Sequence, residues 1–316
     1  MFNIQEIKLG VFKAIRLVNT NTEEYIEILT EFGAGINDLV VKNKDGHMVS
    51  MIDGYRSEEE IIHDHHTAFK GCKLSPFPNR IPEGKYKYGG KTFQLAINDI
   101  PANNNLHGLL HNRPFEIVNQ ESCESSASIE LRYVYKGVDL GFPFQYTLNL
   151  TYRLDKTGVS FLTQIENTGS ATMPMGDGWH PYFLFENLDE IDLEMGTAIR
   201  LSSNVGNPLT ELHGFESCDS LAKKQLDDCF EVQQDDKYQI ILKDQKQGIE
   251  VGIELESETD KYKYFQIYTP PSRRSIAIEP VTCPPNAFNT GIGLIELEPK
   301  QVLSMSFDIK YKLLNN

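Results

Sequence analysis

Basic residues are scarce in this chain: 30 Lys and Arg stand against 45 Asp and Glu, a formal net charge of −15. No run of Lys or Arg builds a stripe that could neutralise successive phosphates, so nucleic acid is not an expected partner. Anionic membrane surfaces are disfavoured for the same reason. Long apolar runs are missing too, and no stretch approaches the roughly 20 apolar residues that cross a bilayer. The opening MFNIQEIKLG carries an acid and amides where a leader peptide needs a basic start and an apolar centre. A cytoplasmic location is expected. Cysteine is sparse: Cys72, Cys123, Cys218, Cys229 and Cys283 are odd in number and contain no C-x-x-C pair. That excludes a disulfide framework or a zinc site as the first expectation. Walker A, H-E-x-x-H and G-x-S-x-G patterns are also absent, which removes the easily read nucleotide, zinc-protease and serine-hydrolase options. Gly291-Ile292-Gly293 lacks the third glycine and the strand-to-helix setting of a dinucleotide site and reads as a turn.

What is present is a core-forming supply of apolar residues, 40% of 316, laid out with a period of two. Leu303, Met305, Phe307, Ile309 and Tyr311 alternate with Ser304, Ser306, Asp308 and Lys310. The same pattern runs through Ile129 to Tyr135, Tyr146 to Tyr152 and Ile249 to Leu255, each a half-buried strand. In YKYGGKTFQL, Gly89-Gly90 sits between two alternating arms and predicts a hairpin over Tyr86 to Leu95, because a two-residue turn needs positive φ. One short helix is expected from Ser57 to His66, with Ser57 and Glu60 as a capping box. Strand-helix alternation, internal repeats and a Pro/Gly/Ser-rich linker are all missing. The expected fold is therefore all-β, a large antiparallel β-sandwich formed by one domain over residues 1–316.

Several short motifs carry chemistry. In Gly178-Trp179-His180-Pro181-Tyr182-Phe183, Pro181 biases His180 towards extended backbone and so fixes where its imidazole points. In Ser275-Ile276-Ala277-Ile278-Glu279-Pro280, alternation separates Ala277 and Glu279 from the two isoleucines, and Pro280 is expected to end the ladder. A strand-end carboxylate in partial burial would have a raised pKa and could act as a base. Asn79-Arg80 and His107 fall on predicted loops and offer donors suited to vicinal hydroxyls, while Asp227 would accept from hydroxyls. His63, His65 and His66 cluster in the last turn of the short helix, where the macrodipole favours them, and no Cys/His pair elsewhere completes a metal set.

Taken in order, Asn79-Arg80-Ile81 with Glu83-Gly84-Lys85-Tyr86, Leu95-Ala96-Ile97-Asn98, Leu106-His107-Gly108, His180-Pro181-Tyr182-Phe183, and Glu279-Pro280 with Pro284-Pro285-Asn286-Ala287-Phe288 resemble the aldose 1-epimerase (galactose mutarotase) family. The resemblance runs through nearly the whole chain. It implies a galactose mutarotase-like supersandwich and an isomerase interconverting the α and β anomers of a free aldose such as glucose or galactose, with no cofactor and no metal. By matched motif it makes His180 the general acid and Glu279 the general base. Asn79, Arg80, His107, Tyr182 and Asp227 become sugar contacts, Asp227 on the pattern L-D-x-x-F alone. Pro181 stands where animal-type galactose mutarotases tend to carry a small polar residue, and this points towards the broad bacterial group of the family. Two alternatives stay open here. A phosphosugar mutarotase would draw on Arg273-Arg274 and Arg113. A non-catalytic sugar-binding protein would keep the groove without needing an acid and base. Oligomeric state and the preferred sugar are not legible in the sequence.

Overall fold

A computed structural model describes residues 1–201, 211–215, 220–233, 237–255 and 261–314, with 211–215 as backbone only. Cys218 lies outside the described residues. All four of the alternating segments become strands of one eight-stranded antiparallel sheet. Its order is Glu116–Ser122, Ser126–Lys136, Gln145–Asp155, Gly158–Asn167, Val302–Leu313, Ile249–Leu255, Tyr238–Asp244 and Ile191–Met195. The strand Val302–Leu313, far along the chain, thus occupies the middle of the sheet.

A second sheet runs Glu211–Phe215, Ala198–Leu201, Asp227–Val232, Tyr264–Tyr268, Ser275–Val281, Gly178–Trp179 and Lys73–Leu74, and Tyr182–Leu184 also pairs with Ser275–Val281. The two large sheets pack face to face as a sandwich. Trp179 of the second sheet meets Tyr152, Phe161 and Phe307 of the first at ring separations of 5.7, 5.9 and 6.2 Å. Tyr238 stacks on Phe265 across the same interface. These rings sit in one apolar core with Ile276, Ile278, Phe230 and Ile267. A five-stranded sheet, Phe2–Leu9 to Met48–Ser50, adjoins them. The chain just after that sheet closes onto the strand Tyr182–Leu184 through Asp53 N–H to Tyr182 O and Leu184 N–H to Met51 O, both 2.9 Å.

The local expectations hold with instructive differences. The hairpin forms as Lys85–Tyr88 paired with Lys91–Gln94, and Gly89 and Gly90 both have positive φ, 55° and 76°. The helix spans Glu58–Ala68, two residues beyond His66, with Ser57 accepting from the Glu60 N–H. Only half of the capping box closes, because the Glu60 carboxylate accepts from Arg56 N–H instead of Ser57. Gly291 and Gly293 are turn residues with positive φ, as read.

Pro280 does not end the ladder. Strand Ser275–Val281 continues through it, with Pro280 opposite Phe265 and Val281 opposite Tyr264. On the other side Pro280 faces Trp179, within the stretch between the Gly178–Val281 and Tyr182–Ala277 pairs where the ladder lapses, so its missing N–H breaks no pair there. Glu279 consequently lies inside a sheet and not at a strand end.

Candidate active site

Strand register builds the site. Tyr182 pairs with Ala277, Ala277 with Tyr268, and Tyr268 with Asp227; one step along, Glu279 pairs with Gln266 and Gln266 with Cys229. Cross-strand partners share a face, so Tyr182, Glu279, Gln266 and Asp227 all project from the side of the sheet opposite the isoleucine core. His180 reaches the same side from the break between the two short strands. Its backbone is clamped twice, its N–H donating to Cys72 O at 3.2 Å and its carbonyl accepting from Gly71 N–H at 2.8 Å. Gly71 is needed there, since at φ +67 a Cβ would lie 2.0 Å from the Ile36 carbonyl.

Asn79 and His107 arrive from a two-stranded ladder, Arg80–Pro82 against Asn104–Leu106, so Arg80 is the first residue of a strand and not of a loop. Each sits one residue beyond the ladder with positive φ, 56° and 63°. They lock each other: His107 N–H donates to Asn79 O at 2.8 Å, and Asn79 N–H donates to His107 Nδ1 at 3.2 Å. Gly108 follows at φ +73, where a Cβ would lie 2.4 Å from the Ser75 carbonyl. The Asn79 side-chain oxygen accepts from both the backbone N–H and the Nε of Arg80, at 2.9 Å each. The guanidinium is thereby aimed, and its terminal nitrogens have no hydrogen-bond partner among the described residues.

Six of the seven expected residues are brought together directly. His180 Nε2 lies 3.4 Å from Glu279 Oε1, longer than a good hydrogen bond, and both side chains are buried, at 5% and 2% exposure. His107 packs edge-on against His180 at 5.0 Å, and Tyr182 stacks on its other side at 4.9 Å. Arg80 acts on Glu279 as a nearby positive charge. Asp227, the most exposed of the set, joins through Gln266, whose Nε2 donates to Asp227 Oδ1 at 2.8 Å. Gln266 was missed by sequence reasoning. Its position opposite Glu279 depends on the pairing of two strands, which no local pattern encodes.

The electrostatics follow from burial. Desolvation raises the Glu279 carboxyl well above its ordinary range, Asp227 adds to the shift, and Arg80 opposes it. The same desolvation lowers His180 to about 3. His107 is likewise held neutral by burial, and because its Nδ1 accepts from an amide, its Nε2 carries the hydrogen. Burial thus favours the neutral form of each member of the His180–Glu279 pair. Buried polar atoms rarely lack a partner, yet His180 Nδ1, Glu279 Oε2 and Gln266 Oε1 have none among the described residues. Two of these three atoms, Glu279 Oε2 and Gln266 Oε1, are carbonyl-type or carboxylate oxygens in a site that Arg80 and His107 supply with donors.

Among the described residues, one group of side chains approaches metal-ligand spacing, and it is this same set: His107, His180 and Glu279, within 4.8 Å of one another. Their hydrogen bonding does not suit a metal. His107 Nδ1 is engaged by the Asn79 amide, its Nε2 bears a hydrogen, and neither ring has an acceptor behind it to orient a coordinating nitrogen. The helix histidines lie elsewhere. His65 is buried, accepting from or donating to Tyr55 OH at 2.9 Å and His111 at 2.7 Å, while His63 and His66 face solvent.

A family model described as aldose 1-epimerase matches residues 16–310, and the chain belongs to that family. It is 27% identical over 299 residues to the uncharacterized protein YihR of Escherichia coli K12, covering 90% of each. It is 29% identical over 155 residues to the galactose mutarotase of Sus scrofa, a match spanning 49% of this chain and 43% of that protein. A crystal structure of a galactose mutarotase-like protein from Clostridium acetobutylicum superposes with a TM-score of 0.84 at 20% identity, covering 99% of both chains. A galactose 1-epimerase from Lactobacillus acidophilus gives 0.75 at 17% identity, over 100% of this chain and 99% of that one. At those identities the two structures establish the fold. No helix among the described residues is long and apolar enough to cross a membrane.

Proposed function

We propose that this protein is an aldose 1-epimerase acting on a free aldose in the cytoplasm, with His180 as general acid and Glu279 as general base. The observation that carries this reading is the buried, facing pair at 3.4 Å, set between the two rings of His107 and Tyr182. Glu279 takes the proton of the anomeric hydroxyl while His180, as imidazolium, gives one to the ring oxygen. The C1 to ring-oxygen bond breaks and an aldehyde forms. Rotation about C1–C2 presents the other carbonyl face, the ring hydroxyl attacks it and returns its proton to His180, and Glu279 returns its own to the new anomeric oxygen. The pair carries one proton throughout. Only its place changes, between carboxyl with imidazole and carboxylate with imidazolium.

Substrate contacts follow from donor and acceptor inventory. Arg80 and the Nε2–H of His107 donate to hydroxyl oxygens, Asp227 and Gln266 Oε1 accept from hydroxyls, Tyr182 offers a ring face, and Asn79 holds Arg80 in place. A sugar hydroxyl donating to Glu279 Oε2, together with Arg80, favours the carboxylate form at the moment the base is needed. The phosphosugar alternative is disfavoured by Arg273, which is committed to Asp189 at 2.8 and 2.6 Å and to the carbonyls of Leu221 and Lys224. An acid and base pair in mutual reach has no use in a protein that only binds sugar. Polarimetry on freshly dissolved α-D-glucose and α-D-galactose tests the reading. Acceleration over buffer is expected, and none across a panel of aldoses would refute it; glucose 6-phosphate in the same assay separates the phosphosugar alternative.

A further inference from the structure

Directly behind His180, on the core side of its sheet, lies an ion pair with no access to solvent. Lys73 Nζ contacts Asp177 Oδ1, both side chains fully buried, and sits 4.5 Å over the Trp179 ring. Thr163 of the facing sheet is 3.3 Å from Lys73 Nζ, and Tyr262 OH donates to Asp177 Oδ1 at 3.0 Å. A buried ion pair is a weak source of stability, because desolvating two charges cancels much of their attraction. Apolar residues of similar volume would fill this space at no loss, so the pair asks for another explanation.

Its connections give one. Lys73 is in register with Trp179, and the preceding residue, Cys72, supplies the carbonyl that takes the His180 N–H. Asp177 lies three residues before His180, and its own backbone exchanges hydrogen bonds with Thr282, by Asp177 N–H to Thr282 Oγ1 and Thr282 N–H to Asp177 O, both 2.9 Å. Thr282 directly follows the strand that bears Glu279. The pair therefore joins three segments: residues 71–73, which clamp His180; 177–180, which carry it; and 275–282, which carry Glu279. Alternation sends Asp177 and Trp179 inwards and His180 outwards, so neither charge touches the space where substrate would sit.

We propose that Lys73 and Asp177 are positioning residues that fix the separation of His180 and Glu279 by charge pairing behind the sheet. This rests on the acid and base roles given above. Backbone hydrogen bonds join the three segments, and a directional ion pair with a tyrosine hydrogen bond adds a side-chain constraint on how they sit against one another. A displacement of about 1 Å between acid and base costs on the order of a hundredfold in rate.

The test is the double variant Lys73→Met/Asp177→Asn, which removes both charges and keeps an acceptor for Tyr262. The proposal expects a folded protein, a kcat for mutarotation lowered at least about tenfold and a KM within about threefold of wild type. A kcat within about twofold of wild type overturns it. If the double variant does not fold, Tyr262→Phe, which leaves the ion pair and deletes one bond to it, is expected to lower kcat severalfold, and an unchanged kcat overturns the proposal. If wild type accelerates no sugar, the functional reading fails and positioning is then decided by the imidazole nitrogen resonances. Those of His180, assigned through His180→Gln, should move in the double variant while those of His65 and His111 stay in place. An unmoved His180 signal overturns the proposal.

Discussion

Glu279 and His180 each occupy an environment hostile to their own charge, and that conflict is measurable. Burial raises the carboxyl, so the native state holds a proton that the unfolded chain gives up above about 4.5. Stability linked to Glu279 is thus fully present below that pH and is lost as pH rises towards the elevated native value. Glu279→Gln removes this dependence. The variant should unfold at a higher temperature than wild type at pH 8, lose that advantage below about pH 4.5, and turn over on the order of 10²–10⁴ times more slowly. Scanning calorimetry at the two pH values with polarimetry checks all three, and a variant that is both active and no more stable would remove Glu279 from the mechanism. A chelator should leave the wild-type rate unchanged, since His107 offers no free lone pair to a metal; a loss restored by zinc would contradict this. At this scale local alternation set the face on which Glu279 projects, while the pairing of His180 with Glu279 was legible only through the ordered motifs that resemble the family. Gln266 was not, because its meaning comes from the strand it faces. The mutual lock of Asn79 and His107 was equally hidden: two left-handed residues 28 positions apart in sequence give no local sign of each other.

Among the secondary elements, the helix Glu58–Ala68 shows why three neighbouring histidines need separate explanations. Of the three, His65 alone faces inwards, where its Nδ1 shares a hydrogen bond with Tyr55 OH at 2.9 Å and its Nε2 one with His111 Nδ1 at 2.7 Å, while Lys70 N–H donates to Tyr55 OH at 3.1 Å. Behind it, Phe69 packs on both His111 and the site residue His107, at 5.1 and 4.7 Å. His65→Ala should cost about 2–4 kcal/mol, combining a lost buried volume with two orphaned partners, whereas His63→Ala and His66→Ala should each change stability by less than about 0.5 kcal/mol. Urea titrations of the three variants decide this, and equal effects would refute the inward role of His65. Helix, hairpin and the four alternating strands were legible because each is encoded by its own period or turn. Pro280 misled because a proline is tolerated inside a sheet where the neighbouring ladder lapses, and the segment that decides this, from Trp179 to Pro181, lies about a hundred residues upstream.

Over the whole molecule, the buried His65, His107 and His180 and the half-buried His111 are held neutral, with pKa values pulled to about 3 for His65 and His180, to about 4 for His111, and well below the usual range for His107. The unfolded chain binds protons at these four positions as pH falls below about 6.5, and the native state does not until much lower. Raised Asp177, at about 6, and Glu279 work in the opposite sense. On balance the unfolded state gains on the order of two protons near pH 5, so stability should fall by on the order of 2–3 kcal/mol per pH unit between pH 6 and 4. A flat denaturant midpoint over that interval would contradict the assignment of four neutral histidines in the native state.

The placement of Val302–Leu313 at the centre of the larger sheet also sets a timetable. On a ribosome, Gly158–Asn167 and Ile249–Leu255 emerge long before the strand that must lie between them, and each waits with an open edge. Until residue 313 has left the exit tunnel, the nascent chain offers two unpaired strand margins to any other chain that passes. Expression of this protein should therefore depend on chaperone capacity more than its final stability would suggest, and a stop codon before residue 302 should yield aggregate, not a smaller folded product.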